Sequence, residues 1–203
     1  MKIICIGRNY SLHAKELGNE IPKEPIFFLK PDSALLLKNK TFFIPDFSND
    51  VHHELELVIR INRLGKHIPA EFAPRYYSEV SLGIDFTARD LQQECKEKGL
   101  PWEKAKAFDG SAPLAEWRKL EALGGFENLE YKLLVNGKER QSGKPSEMLF
   151  HVNDLIAHVS KYMTLKIGDL IYTGTPAGVS RVVEGDQLEA FLNGEKLIDM
   201  RVK

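Results

Sequence analysis

The longest alternation of apolar and polar positions lies in "HHELELVIRINRLG", which runs from His52 to Gly65. Successive side chains of a strand point to opposite faces, so alternate residues share a face. One face of this segment is aliphatic and carries Leu55, Leu57, Ile59 and Ile61. The other face opens with His52, Glu54 and Glu56 and then changes to Val58. The pattern predicts a long strand that presents two carboxylates side by side near its start.

Shorter apolar runs, bounded by glycine, proline or Asn-Gly, predict the remaining strands. They are "KIICIG", "EPIFFLKP", "TFFIP", "LEYKLLVNGKERQ", "IGDLIYTGTPAGVS" and "GDQLEAFLNGEKLIDMRV". Asn136-Gly137 and Asn193-Gly194 each predict a tight hairpin, because Asn and Gly tolerate the positive φ that such turns need.

Three segments change to a helical period. "SLHAKELG" predicts one or two turns closed by Gly18, and "NDLIAHVSKYM" predicts a longer helix. In "TARDLQQECKEKG", Thr87 and Asp90 resemble a capping box and Gly99 ends the helix. The fold class that follows is α+β and mainly β, and we expect a single domain over residues 1–203.

The composition argues against several classes of protein, including disordered, nucleic-acid-binding and membrane-spanning proteins. The chain has 203 residues, 43% of them hydrophobic, and a net charge of −1, which argues against disorder and against a nucleic-acid partner. We find no apolar run long enough for a membrane span and no signal peptide. Cys5 and Cys95 lie far apart without a CxxC motif, which favours reduced thiols in the cytoplasm. Cys5 is expected in the core.

Glu54 and Glu56 lie close enough on one strand face to meet at one small object. Two such carboxylates raise each other's pKa unless a cation lies between them, and hard cations such as Mg²⁺ prefer oxygen ligands. Asp85, at the end of "LGID", is a candidate third ligand. The alternative is that both glutamates belong to the solvated face of a half-exposed strand. Spacing alone leaves both interpretations open.

Further candidates come from helical spacing. His13 and Glu16 are three residues apart and share a helix face, where a carboxylate would orient a basic imidazole; a surface pair is the alternative. Arg89 and Gln92 share a face of the helix after Asp85. "TGTPAG" lacks the Lys-Ser/Thr ending of a phosphate-binding loop.

Seven fragments occur in one order: "GRNY" followed by the His and Glu, "FLKP", "HHELELV", "GIDFTARDLQ", "GLPWEKAKAFD", "QSG" with "SEMLF", and "GDLIYTGTPAGV" with "EGD". Together they resemble the fumarylacetoacetate hydrolase family, most closely its short acylpyruvate hydrolases and oxaloacetate decarboxylases. The resemblance extends from about Gly7 to Asp186. It implies a mixed β-sandwich roll without a separate N-terminal domain, and a homodimer.

The resemblance also implies a role for each matching residue. Glu54, Glu56 and Asp85 would bind Mg²⁺ or Mn²⁺, and His13 with Glu16 would activate water. Lys106, rather than its neighbour Lys104, would steady an oxyanion or enolate. Substrate contacts would come from Arg8, Arg89, Gln92 and Thr175. Two departures from the family pattern, Lys144-Pro145 and Asp32, bear on substrate choice.

The expected reaction is cleavage of a C–C bond in a 2-keto acid, through a pyruvate enolate that a metal stabilises. Hydrolysis of an acylpyruvate needs an activated water, whereas decarboxylation of oxaloacetate does not. An isomerase or hydratase of 2-hydroxydienedioates uses the same enolate chemistry, and a non-catalytic metal- or keto-acid-binding module is the alternative from another class.

Overall fold

The computed structural model describes residues 1–16, 18, 20–37 and 41–203. The strands are β1 Ile3–Gly7, β2 Ile26–Lys30, β3 Leu35–Leu37, β4 Val51–His53, β5 Leu55–Arg60, β6 Glu79–Ile84, β7 Thr87–Ala88, β8 Ala112–Leu114, β9 Arg118–Lys119, β10 Tyr131–Val135, β11 Lys138–Gly143, β12 Leu170–Tyr172, β13 Ser180–Arg181, β14 Gln187–Leu192 and β15 Glu195–Arg201. The α-helices are α1 Ser11–Glu16, α2 Arg89–Lys98, α3 Glu103–Lys106 and α4 Val152–Tyr162.

The strands form three sheets. The largest has the order β2-β1-β12-β5-β6-β8-β3, and β9 also pairs with β6. It is mixed, because β1 runs parallel to β12 and β3 runs parallel to β8, while its other pairs are antiparallel. A four-stranded sheet has the order β11-β10-β14-β15, and a small third sheet has the order β13-β4-β7. The prediction of a mainly β, mixed architecture is confirmed.

Both Asn-Gly hairpins are present. Asn136 and Gly137 have φ of 53° and 74° between β10 and β11, and Asn193 and Gly194 have φ of 46° and 83° between β14 and β15. Positive φ at both central residues matches the right-handed twist of the flanking strands. These turns make the four-stranded sheet, which packs on β5 and β6 of the large sheet.

The core lies between these two sheets, and a second cluster covers the opposite face of the large sheet. Leu55, Leu57 and Ile59 belong to the first cluster, whereas Val58 packs in the second with Cys5, which is fully buried as predicted. The middle of β5 is therefore apolar on both sides, as strands covered on both faces are. None of the helices in the described ranges has the length and apolar character needed to cross a bilayer.

The long predicted strand is interrupted at Glu54. β4 ends at His53 and pairs with β7 and β13, whereas β5 begins at Leu55 in the large sheet. The cause is a side chain distant in sequence, because the Leu55 N–H donates to Gln141 Oε1 at 3.0 Å instead of to a neighbouring strand. The interruption leaves Glu54 at the junction of two sheets.

Two local predictions were wrong. "TFFIP" is too short to form a strand: Phe42 bridges Val202, and the N–H groups of Phe42 and Ile44 donate to the carbonyls of Arg201 and Lys203 at 3.0 and 2.7 Å. The pairing stops at Pro45, which has no N–H. The Thr87–Asp90 capping box is absent, because the Asp90 carboxylate instead bonds Ser48 Oγ at 2.7 Å and the Asn49 N–H at 3.0 Å. Gly99 does end this helix, with φ of 63°.

Candidate active site

Three buried carboxylates meet where β5 begins and β6 ends. Leu55 pairs with Ile84 across these strands, and the Asp85 N–H donates to the Glu54 carbonyl at 2.8 Å. One oxygen each from Glu54, Glu56 and Asp85 lies within 4.8 Å of the others. Because Glu54 is only 5% exposed and Glu56 only 1%, the solvated-face alternative is wrong.

Three cations surround Glu54 and Asp85. Lys106 Nζ donates to Glu54 Oε2 at 2.8 Å and to Asp85 Oδ2 at 2.7 Å, and Arg89 pairs with the other Glu54 oxygen. Burial alone would raise the pKa of Glu54, but the charges of Lys106 and Arg89 outweigh it and hold that pKa well below its usual range. Glu54 is therefore ionised at neutral pH.

The third cation, Lys30, was not assigned a role from the sequence. It is 2% exposed, pairs with Asp85 Oδ1 at 2.8 Å, and donates to the Ser111 carbonyl at 3.1 Å and to Ser111 Oγ at 2.9 Å. The available signal was a lysine that closes the apolar run "IFFL" directly before Pro31. A lysine in a predicted buried strand needs an anionic partner, since an unpaired buried charge is costly.

Glu56 has much weaker compensation. Its Oε2 accepts the Gly174 N–H at 2.7 Å, and among the described residues no side chain forms an ion pair with it. Burial raises its pKa well above the ordinary value, and repulsion from Asp85 and Glu54 raises it further. A divalent cation would relieve this repulsion. The all-oxygen donor set fits Mg²⁺ or Mn²⁺, and the described part of the site has no thiolate to favour a softer metal.

His13 and Glu16 are paired on α1. His13 Nδ1 lies 3.3 Å from Glu16 Oε2, and the Gly178 N–H donates to both Glu16 oxygens at 3.1 and 3.2 Å. His13 is buried and lines the same cleft as the carboxylates. Burial lowers its pKa below 6.5, although Glu54 and Glu16 oppose the shift, so its ring is neutral at pH 7. With Nδ1 facing a carboxylate, Nε2 is the nitrogen left to accept a proton.

The side-chain oxygen of Gln92 is hydrogen-bonded, whereas its side-chain NH2 has no partner among the described residues. Its Oε1 accepts a hydrogen bond from Arg89 Nη1 at 2.7 Å, which fixes the orientation of the amide. The remaining polar group of the side chain is the Nε2 donor, which suits a carboxylate ligand. Gln92 lines the cleft, as its predicted role requires.

Thr175 differs from the simplest form of its predicted role. Its hydroxyl donates to the Leu55 carbonyl at 2.8 Å and accepts from Gln141 Nε2 at 2.7 Å. A hydroxyl has a single hydrogen, so this side chain has none left for a substrate carboxylate. The main-chain N–H of Thr175 bonds no acceptor within the described ranges, and it is the donor that Thr175 can offer a ligand.

Gln141 connects Thr175 to the strand break. It opens the "QSG" fragment of the family resemblance, but no role was assigned to it from the sequence. Its Oε1 accepts from Leu55 N–H and lies 2.9 Å from His53 Nδ1, which must therefore carry a hydrogen. His53 Nε2 then accepts from Ser180 Oγ at 2.8 Å. Burial lowers the pKa of His53 to about 4, so the ring stays neutral and every member of this buried network is paired.

The cleft gathers nine of the ten site residues predicted from the sequence: Arg8, His13, Glu54, Glu56, Asp85, Arg89, Gln92, Lys106 and Thr175. Glu16 lies behind His13. Lys106 Nζ also lies 5.1 Å from the ring centroid of Phe28, another lining residue. Lys144 lies at a separate surface groove and Asp32 is exposed, so neither departure from the family pattern lines the cleft.

The chain is similar to one protein family and to named mitochondrial proteins over nearly its whole length. Residues 2–202 match the family model described as fumarylacetoacetate hydrolase, C-terminal. A mitochondrial oxaloacetate tautomerase of Rattus norvegicus is 42% identical over 201 residues, which cover 99% of this chain and 90% of that protein. A mitochondrial oxaloacetate decarboxylase of Dictyostelium discoideum is 43% identical over 194 residues, covering 95% of this chain and 89% of the relative.

A solved structure is similarly close. Fumarylpyruvate hydrolase of Pseudomonas aeruginosa, in complex with Mn²⁺ and pyruvate, superposes with a TM-score of 0.94 at 34% identity. The match covers 100% of this chain and 89% of that one.

Proposed function

The chain belongs to the fumarylacetoacetate hydrolase family, and from this premise we propose that it is a divalent-metal-dependent enzyme that cleaves a C–C bond in 2-keto acids. The single observation that carries the proposal is the meeting of three buried carboxylates with Lys106 and the His13–Glu16 pair in one cleft. Relatives named for oxaloacetate and fumarylpyruvate support the same substrate class.

Glu54, Glu56 and Asp85 would hold the metal, Mg²⁺ or Mn²⁺. When bound, such an ion supplies a Lewis acid that polarises the 2-keto group. The Gln92 amide would donate to the substrate carboxylate. Lys106, whose pKa is held above its ordinary value by Asp85 and Glu54 in spite of the opposing effect of burial, keeps a positive charge beside the developing enolate oxygen.

In acylpyruvate hydrolysis, His13 Nε2 would take a proton from water while the water oxygen attacks the 4-carbonyl carbon. The C3–C4 bond then breaks, its electrons pass to the 2-oxygen as pyruvate enolate, and a proton returned to C3 gives pyruvate. Glu16 holds the His13 ring through Nδ1. In oxaloacetate decarboxylation the same bond breaks to release CO₂, and no water attacks.

Tautomerisation of oxaloacetate is a second candidate. A relative is named an oxaloacetate tautomerase, and a neutral His13 and a cationic Lys106 lining one cleft could together move a proton between C3 and the enol oxygen. The dienedioate isomerase or hydratase would use the same groups. An intact dyad and lysine weigh against a non-catalytic binding module.

The test is a panel of oxaloacetate, acetylpyruvate and fumarylpyruvate with Mg²⁺, with products followed by NMR. Cleavage gives pyruvate, whereas tautomerisation alone only speeds the approach of the keto and enol forms to their equilibrium ratio. EDTA should abolish turnover and Mg²⁺ should restore it. Glu56→Gln should weaken metal binding measured by calorimetry, whereas Glu121→Gln, at an exposed position, should not. Full activity after exhaustive EDTA treatment would overturn the metal assignment.

Assembly and location are proposed from the resemblance and the composition. We expect a homodimer, which light scattering on the purified protein would measure, and a cytoplasmic protein. The residues 1–203 would act as one catalytic domain, with one cooperative unfolding transition.

A further inference from the structure

Asn9 is a fully buried residue whose side chain joins two distant segments of the chain. Its Oδ1 accepts the Phe150 N–H at 2.8 Å, and its Nδ2 donates to the carbonyls of Phe150 at 3.0 Å and of Thr173 at 2.8 Å. These bonds use both donor hydrogens and the acceptor, so the partners fix the orientation of the amide. Asn9 belongs to the "GRNY" fragment, but no role was assigned to it from the sequence.

The peptide unit between Thr173 and Gly174 lies between Asn9 and the metal site. Its carbonyl accepts from Asn9, and its N–H donates to Glu56 Oε2 at 2.7 Å. In a trans peptide the C=O and N–H groups lie in one plane and point in opposite directions. An anchor on the carbonyl therefore also sets the direction of the N–H, so Asn9 aims the donor that Glu56 receives.

Gly174 permits the close approach on which this contact depends. Its φ is 98°, and a Cβ at this position would lie 2.6 Å from the Cβ of Asn9, nearer than such atoms come in folded proteins. A residue without a side chain is therefore needed for the peptide to reach Asn9.

Asn9 also lies at the start of the segment that carries the catalytic base. α1 begins two residues later, and His13 follows on it. At the other end of α1, Glu16 accepts the N–H of Gly178, which belongs to the same stretch of chain as Thr173. Hydrogen bonds near both ends of α1 therefore connect it to the stretch whose peptide supports Glu56.

We propose that Asn9 is a positioning residue that holds α1 and the carboxylate of Glu56 in register, through the peptide between Thr173 and Gly174. The inference rests on the proposed function and deepens it, because hydrolysis requires His13 and the metal ligands to reach the same substrate. A displacement of about 1 Å can lower a rate by about 10²-fold, so a buried amide that touches no substrate can still control turnover.

Amide hydrogen exchange followed by NMR tests the connection in the wild type, with Mg²⁺ as the probe. A cation held by Glu56 should restrain the peptide that Asn9 anchors, so the Phe150 N–H should exchange roughly 2- to 12-fold more slowly. The Ile68 N–H is the matched control, because it also donates to a buried side chain, Ser160 Oγ at 2.9 Å, outside the cleft. Equal slowing of both amides would be global stabilisation alone and would overturn the proposal.

Two variants extend the test to function. Asn9→Ala removes all three bonds, whereas Asn9→Asp keeps the acceptor for Phe150 and loses both donors. Each should raise the Kd for Mg²⁺, measured by calorimetry, by roughly 2- to 12-fold. At saturating Mg²⁺, kcat/KM should fall more for acetylpyruvate than for oxaloacetate, because only hydrolysis needs His13. Ser160→Ala removes two bonds of a buried hydroxyl on α4 and should keep the Kd and both activities within about twofold.

The outcomes separate this inference from the proposed function. If Mg²⁺ selectively protects the Phe150 N–H but no keto acid is cleaved, the proposed function fails and the link from Glu56 to Asn9 stands. If the wild type cleaves its substrates and Asn9→Ala changes the Kd and the ratio of activities no more than Ser160→Ala does, Asn9 is purely structural and the proposal fails. If neither Asn9 variant folds, the exchange of the wild-type amides decides alone.

Discussion

Removing the His13 imidazole should affect hydrolysis and decarboxylation differently. Hydrolysis needs a nucleophilic water, and His13 is the neutral base in the cleft whose Nε2 remains available. General base catalysis contributes about 10²–10⁴-fold, so His13→Ala should lower kcat/KM for acetylpyruvate by that factor. Oxaloacetate decarboxylation should fall much less, because its enolate depends on the metal site and Lys106.

The structure indicates that removing the Glu16 charge lowers hydrolysis less than removing the His13 imidazole. Its contact with His13 is long at 3.3 Å, and its side chain is 34% exposed, so solvent weakens the interaction. Glu16→Gln keeps an oxygen that can accept the Gly178 N–H but loses the charge. We expect a cost of about 0.5–1.5 kcal/mol, or roughly 2- to 12-fold in acetylpyruvate hydrolysis. Lys15→Ala, an exposed change on the same helix, should have no effect.

The assay is kcat/KM on both substrates at saturating Mg²⁺, followed from pH 5 to 8. Because burial lowers the pKa of His13 below 6.5, the imidazole is unprotonated at neutral pH. It becomes protonated only as the pH falls through this lowered pKa. Wild-type hydrolysis should therefore decline below about pH 6.5, and His13→Ala should lack this decline. If His13→Ala lowers both activities by one common factor, His13 is not a water-activating base, and the hydrolytic mechanism has to be withdrawn.

Two further predictions concern stability. Gln141→Met removes both the acceptor and the donor contacts of a buried amide, so it should lower the free energy of unfolding in urea by about 2–5 kcal/mol and weaken metal binding measured by calorimetry. The control Gln93→Met, at an exposed position, should change the free energy of unfolding by no more than about 0.5 kcal/mol. Unchanged metal affinity in the Gln141 variant would show that this residue has a purely structural role. Asp169 accepts the Lys2 and Lys166 N–H groups, each at 2.8 Å, and although burial would raise its pKa, these bonds and the Lys2 ammonium lower it. Its folded-state pKa is thus depressed, so the stabilisation is complete above about pH 4 and is lost as the pH falls through the folded-state value. Asp169→Asn should destabilise the protein by about 1–3 kcal/mol at pH 7 and by progressively less as the pH falls below about 4, and a cost that does not decrease with falling pH would contradict the argument.

The sequence predicted the features that local chemistry controls. Asn136-Gly137 and Asn193-Gly194 make their hairpins because the turn requires a positive φ at both residues. The aliphatic side of Leu55 to Ile59 identified a buried strand because burial is periodic in a strand.

Features controlled by distant residues could not be predicted. The break at Glu54 depends on Gln141, which lies 86 residues beyond Leu55 in the sequence. Thr87 and Asp90 do not form a capping box, because the Asp90 carboxylate accepts a hydrogen bond from Ser48, which lies 42 residues away in the sequence. The convergence of Glu54, Glu56 and Asp85 was proposed from a resemblance, since spacing alone favoured a solvated strand face.

The parallel pairing of β1 with β12 has a consequence for biosynthesis. Ile3 lies beside Leu170 and Cys5 beside Tyr172, so an interior ladder of the large sheet joins residues that are 167 positions apart in the chain. At about 5–20 residues per second, a ribosome makes β12 roughly 8–33 s after β1. β2 can cover one edge of β1 early, but the other edge waits with its N–H and C=O groups unpaired. During that interval the apolar strand is a target for chaperones and for mispairing with other nascent chains, so the yield of folded protein should depend on translation speed.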